Sequence, residues 1–184
     1  MKTKQVKDLM LEVSVCKRVS ERNTLHQAIT ALSDASVESA GTKYPMEALL
    51  VEDAKGQISG VLTLWDLLAG LEPGYRNIGD LTSISYSGLT PEVLTVIRDA
   101  YGLWQKPLAE LCQKAGRVQV SSIFQKPFER QYIEQTASLD EAIHRLITNG
   151  EAWLLVKEGD QVVGLLRICD VFSEVSVQAQ QCEP

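Results

Sequence analysis

The chain lacks most of what a secreted, membrane or catalytic protein carries. Its 184 residues hold four cysteines, Cys16, Cys112, Cys169 and Cys182, with no C-x-x-C pair among them. That usage predicts no disulfide framework and a reduced, cytoplasmic protein. Two histidines, His26 and His144, are too few and too isolated for an imidazole-rich metal site. No apolar run follows Met1-Lys2-Thr3-Lys4, and no stretch elsewhere is long enough to span a bilayer, so neither a signal peptide nor a membrane partner is expected. Basic residues are outnumbered, 18 against 24 acidic, for a net charge of −6. Nucleic acid is therefore a poor partner, since backbone affinity needs clustered Lys and Arg. A local patch for a small anion remains open. Catalytic patterns are missing as well. There is no G-x-S-x-G, no G-x-x-x-x-G-K and no H-E-x-x-H, and no nucleophile stands beside a base. The expectation is a protein that is not an enzyme and requires no cofactor.

What is present is a globular composition, 45% hydrophobic, in a chain long enough for one or two compact units. The chain also resembles itself. Glu47–Leu68 set against Glu151–Phe172, a shift of 104, gives seven identities in 22 positions, among them Gln57/Gln161, Gly60/Gly164 and Asp66/Asp170. Upstream, Thr24–Ile29 matches Ser138–Ile143 at a shift of 114. The two shifts imply ten extra residues in the first copy, assigned to an extended loop around Ser39–Pro45.

Each copy reads in the same order. Thr24 with Gln27, and Ser138 with Glu141, have the spacing of capping boxes. Leu25, Ala28, Ile29 and Leu32 follow at helical spacing, as do Leu139, Ala142, Ile143, Leu146 and Ile147. Asn149-Gly150 stops the second helix. Two short apolar strands come next, Ala48–Val51 with Ile58–Leu62 and Trp153–Val156 with Val162–Leu166, their unbroken character predicting burial on both faces. A short helix ends each copy, at about 64–71 and 168–175, and the leading segments Val6–Val19 and Val120–Ile133 each add a strand. So small a unit buries too little surface alone, which predicts one intimate pair. The division expected is residues 1–71, a linker at 72–119, residues 120–176, and a flexible tail at 177–184. In the linker, Thr90-Pro91-Glu92 is a helix start, Val93, Ile97, Ala100, Tyr101 and Trp104 form an apolar stripe, and Pro107 interrupts it. This is either a helical hairpin covering the pair or, through Tyr101 and Trp104, an association surface.

Most of the remaining candidates have plain structural readings. Cys169 reads as a small buried hydrophobe, the two histidines as surface or partly packed residues, Trp65 and Trp153 as core or interface aromatics, and Glu12–Arg18 as an exposed strand edge. Gly60-Val61-Leu62-Thr63-Leu64-Trp65-Asp66 and its echo Gly164-Leu165-Leu166-Arg167-Ile168-Cys169-Asp170 are different. A glycine admits close approach, a threonine at a helix start offers its hydroxyl and neighbouring N–H groups to an anion, and Asp66 on the same turn can accept from ribose hydroxyls. Simple helix capping by Thr63 and Asp66 accounts for the same residues.

With these residues duplicated in order, the chain resembles a tandem pair of cystathionine-β-synthase-type (CBS) domains, a Bateman module, of the small stand-alone bacterial type. The resemblance runs over Val6–Gly70 and Val120–Val175. It implies an α/β (α+β) fold of two βαββα units packed through their sheets with pseudo-twofold symmetry, plus a helical linker. It further implies clefts for AMP, ADP, ATP or S-adenosylmethionine, and a homodimer formed through exposed helices. By the family's Gly-x-x-(Thr/Ser)-x-x-Asp motif, Gly60, Thr63 and Asp66 match fully, the hydroxyl toward phosphate and the carboxylate on ribose. Gly164 and Asp170 match, but Arg167 replaces the hydroxyl, where it either contacts phosphate or blocks the cleft. With no output domain in 184 residues, regulation would act in trans on an unidentified protein partner; the alternative is a ligand-independent dimeric scaffold or interaction module.

Overall fold

The computed structural model describes residues 4–39, 42–78 and 90–181. The first copy runs from a 3-10 turn at Val6–Asp8 through β1 (Leu11–Glu12), β2 (Arg18–Ser20), α1 (Leu25–Ser33), β3 (Ser36–Ser39), β4 (Thr42–Pro45), β5 (Ala48–Glu52) and β6 (Ile58–Thr63) to α2 (Leu64–Leu71). A 3-10 turn (Pro73–Asn77), α3 (Pro91–Ala100) and α4 (Leu108–Lys114) form the described linker. The second copy has a 3-10 turn at Val120–Ser122, β7 (Tyr132–Glu134), α5 (Leu139–Asn149), β8 (Trp153–Glu158), β9 (Gln161–Arg167) and α6 (Ile168–Gln181). Parallel β2/β5 and antiparallel β5/β6 make one sheet; parallel β7/β8 and antiparallel β8/β9 make the other. The βαββα order thus occurs twice, and each leading segment contributes its strand.

The local reasons are those of the sequence. Thr24 Oγ1 accepts from the Gln27 N–H at 3.2 Å while the Gln27 side chain accepts from the Thr24 N–H at 2.9 Å. Gly150 closes α5 in the left-handed region (φ 64°), where a side chain would be strained. Ala48–Val51 and Leu154–Val156 are buried without alternation, because each sheet lies between helices and the opposite sheet. Leu155 and Leu165 of the second sheet belong to the same core as Leu25, Leu49 and Leu62 of the first, so the units pack through their sheets.

The leading segments cross over. Val6 is fully buried in the second unit's core with Leu139, Ala142 and Leu146, and Val120 is fully buried in the first unit's core. Three backbone hydrogen bonds fix each crossing in the same pattern. Val6 and Lys7 donate to the carbonyls of Ala137 and Gln135, and Leu139 donates to Lys4, at 3.0–3.1 Å. Val120 and Ser121 donate to Asn23 and Glu21, and Leu25 donates to Val118, at 2.7–2.9 Å. Every partner is displaced by 114 residues, which makes the pair pseudo-twofold in its contacts. The crossing is not symmetric throughout, since β1 joins β9 as the edge of a four-stranded sheet.

The structure corrects several expectations. Leu155 sits opposite Leu165 and Tyr132, as Leu50 sits opposite Val61 and Arg18. The shift over β5 and β8 is therefore 105, the Glu47/Glu151, Ala48/Ala152 and Leu50/Leu154 identities are not spatial equivalents, and the insertion is nine residues. That insertion is a β-ribbon, β3 with β4, instead of an extended loop; Ala40 and Gly41 lie outside the described residues. Ser138 accepts from the Glu141 N–H, but the Glu141 carboxylate accepts from Arg145 at 2.7 Å, so this box lacks its return bond. Helix α6 continues to Gln181, beyond the end expected near Val175. Helix α3 starts with the Thr90 cap as expected, yet none of its residues is buried, so it does not cover the pair. The linker is held instead by buried Leu103, Leu111 and Ala115. The turn expected at Ser87-Gly88 lies outside the described residues.

Candidate functional site

Both strand-to-helix junctions, β6–α2 and β9–α6, border one cleft of about 1160 Å³. Its wall contains spatially equivalent pairs from the two units: Thr63 with Arg167, Leu64 with Ile168, and Trp65 with Cys169. The two copies of the motif therefore meet on one shared cleft.

In the first copy, the Thr63 N–H and hydroxyl both donate to Asp66 Oδ2, at 2.8 and 2.6 Å. The Asp66 N–H returns a longer bond to Thr63 Oγ1, 3.3 Å. This is a capping box that begins α2, and both residues line the cleft. Oδ2 takes both bonds, which leaves Oδ1 as an acceptor at the wall of the cleft.

The second copy is built differently. Arg167 Nε donates to Asp170 Oδ2 at 2.7 Å and Nη2 donates to Oδ1 at 2.6 Å. The pair is bidentate, with side-chain exposures of only 12% and 20%. Such fork-to-carboxylate bonds are short and strong, and they raise the basicity of the guanidinium above its ordinary value. Arg167 reaches the cleft wall; Asp170 is not part of it.

Neither Gly60 nor Gly164 lines the cleft. A Cβ on Gly60 would stand 2.8 Å from the Phe124 ring and 3.2 Å from Pro127 Cδ. On Gly164 it would stand 2.7 Å from both the Leu11 carbonyl oxygen and Met10 Sδ. Met10 and Phe124 are counterparts in the two crossing segments. What approaches each glycine closely is thus the protein's own crossover.

Sequence reasoning missed the segment Ser122–Gln131, from which Lys126, Phe128 and Arg130 line the cleft. Arg130 stacks on the Phe128 ring at 4.6 Å. The available signal was Pro127, which cannot extend a strand ladder. Cys169, expected to be buried, is exposed at the cleft, with its thiol shifted upward by partial burial. Among the described cysteines Cys16 is the buried one, and desolvation pushes its thiol up to about 11. Trp65 is not core: it is 83% exposed. It lies on α2 with exposed Leu64 and Leu68, and Ile168 and Phe172 are similarly exposed on α6. Trp153 packs against the core. Trp104 donates from its indole N–H to the Tyr75 hydroxyl at 3.0 Å. His26 and His144 are exposed, as expected. Arg18, in the basic stretch read as an exposed edge, pairs with Glu52 at 2.7 Å. Among the described residues no cluster of His, Cys, Asp and Glu is placed to hold a metal, and no helix is long and apolar enough to cross a membrane.

Comparison with protein-family models gives no match, and neither does comparison with curated proteins. Solved structures do match. The chain is similar to the CBS-pair protein CBSX2 from Arabidopsis thaliana, with 16% identity, a TM-score of 0.62, and coverage of 99% of this chain and 100% of that one. A structure of CBSX2 in complex with AMP matches at 18% identity and TM-score 0.57, over 96% and 98% of the two chains. A CBS domain-containing protein of unknown function from Bacillus anthracis matches at 14% identity and TM-score 0.62, over 95% and 94%. At such identities the likeness is one of fold, and the fold is that of a tandem CBS-domain pair.

Proposed function

We propose that the chain is a regulatory module that senses an adenosine nucleotide in the cleft bordered by Thr63 and Asp66. The observation that carries this reading is the set of chemistries around one cleft. The α2 N-terminus and the Thr63 hydroxyl favour an anion, Asp66 keeps an oxygen for ribose, and Lys126 and Arg130 add positive charge beside the Phe128 ring. The AMP held by CBSX2, a protein of the same fold, supports the same class of ligand. Candidates are AMP, ADP, ATP and S-adenosylmethionine. A ligand joining the two units across the cleft favours one relative orientation over others, and that population shift is the signal. The output acts in trans in the cytoplasm, on a protein partner. The exposed apolar faces of α2 (Leu64, Trp65, Leu68) and α6 (Ile168, Phe172) fit a homodimer.

Calorimetric titration of each candidate into nucleotide-free protein tests the reading. Saturable micromolar binding to one of them is expected. A stable dimer by sedimentation with no heat from any of the four replaces it with a ligand-independent dimeric scaffold, which the same apolar faces would serve.

A further inference from the structure

The halves of the shared cleft differ in two independent respects. The first is the ion pair. On the first half, Asp66 is engaged through one oxygen and lines the cleft. On the second, Asp170 accepts from Arg167 through both oxygens and does not line the cleft, and Arg167 occupies the position of Thr63. The ribose acceptor and the phosphate hydroxyl are lost together, since the side chain that replaces the hydroxyl also holds the carboxylate off the cleft wall.

The second difference is in the crossing segments. After Met10 the first segment pairs with β9, Leu11 opposite Leu165 and Glu12 opposite Gly164, and the Val13 N–H donates to the Val163 carbonyl at 3.1 Å. The counterpart of Val13, at the 114 shift, is Pro127, and the counterpart of Val163 is Ser59. Proline has no N–H to give, and among the described residues no strand pairs with the outer edge of β6. Released from the sheet, the second segment borders the cleft and brings Lys126, Phe128 and Arg130 to it. The first segment, held on β9, lines none of it.

We infer that the half of the cleft belonging to the second unit is closed to ligand by the Arg167–Asp170 pair, so that the chain takes one nucleotide, on the Thr63/Asp66 half. The count rests on the nucleotide reading above; the closure is a property of the ion pair itself. Arg167→Thr recreates on the second half the Thr–Asp arrangement of the first, and is expected to add a site.

Calorimetric titration of AMP and ATP into the full chain, stripped of copurified nucleotide, reads the number of sites. One site per chain in the native protein and two in Arg167→Thr is the expected result. Two sites in the native protein overturn the inference while leaving the nucleotide reading intact, and do so even if the variant fails to fold. One site in an Arg167→Thr chain with native circular dichroism overturns it as well. No heat in the native protein defeats the nucleotide reading separately. In that case a single AMP or ATP site gained by Arg167→Thr supports closure, and none gained refutes it.

Discussion

Gly60 and Gly164 offer a direct test of what the glycines in the duplicated motif are for. If they exist to admit the crossing segments, alanine costs stability at both positions, and the cost is set by what the new Cβ meets. At Gly164 it meets the Leu11 carbonyl oxygen at 2.7 Å, a backbone atom of the β1–β9 ladder, together with Met10 Sδ. Methionine can swing aside, but the carbonyl moves only with the short strand that carries it. At Gly60 the nearest atoms belong to the Phe124 ring, at 2.8 and 3.0 Å, a half-buried side chain that can yield without moving backbone. Overpacking of this kind costs about 1–3 kcal/mol, which puts Gly164→Ala near the top of that range and Gly60→Ala near the bottom. For a chain of this size about 1 kcal/mol moves Tm by roughly 2–4 °C. The Tm followed by circular dichroism should then fall by about 5–10 °C for Gly164→Ala and about 2–4 °C for Gly60→Ala. A Gly164→Ala protein within about 1 °C of native, or one more stable than Gly60→Ala, would refute the packing account. Retained stability with lost nucleotide affinity would return the glycines to the ligand.

On the proposed ribose role of Asp66, Asp66→Ala removes a charged hydrogen bond of about 1.5–3 kcal/mol, at least about a tenfold loss for AMP, with a smaller loss for 2′-deoxy-AMP; equal losses measured by calorimetry would sink that role. Asp170→Ala strands a guanidinium that is only 12% exposed, so urea unfolding should show a loss of about 2 kcal/mol, less than the full penalty of a buried pair because water reaches the site. The Cys16 thiol is raised by burial to about 11; because the folded state holds its proton more tightly than the unfolded one, stability is intact below pH ~9 and declines as pH rises toward 11. Cys16→Ala should flatten that decline, and an unchanged alkaline profile would show that Cys16 does not cause it.

Local structure was largely readable without coordinates. The caps at Thr24, Thr63 and Thr90 and the left-handed stop at Gly150 depend on neighbours a few residues away, and each formed as read. The duplication was also legible, because two copies of one unit must repeat the same apolar spacing. Its register was not. Identities at a shift of 104 are continuous through the strand pair, while the hydrogen-bonded ladder requires 105 in β5 and β8, since the first copy's turn is one residue longer. A ladder is fixed by pairing geometry, to which chance identities are indifferent.

The sequence by itself determined the repeated βαββα order, the matched Thr63/Asp66 motif, and the Arg167 departure from it. Tertiary structure decided what those residues face. Only the crossing of Val6 and Val120 into opposite cores brings Met10 and Phe124 onto the two glycines. Only packing sets Lys126 and Arg130 at the cleft, on a segment whose Pro127 has no N–H to give to a ladder with β6. The reason is one of distance along the chain. Caps and periodicities are satisfied within one or two turns, whereas each wall of the cleft is assembled from segments far apart in sequence, whose meeting depends on how the whole chain packs.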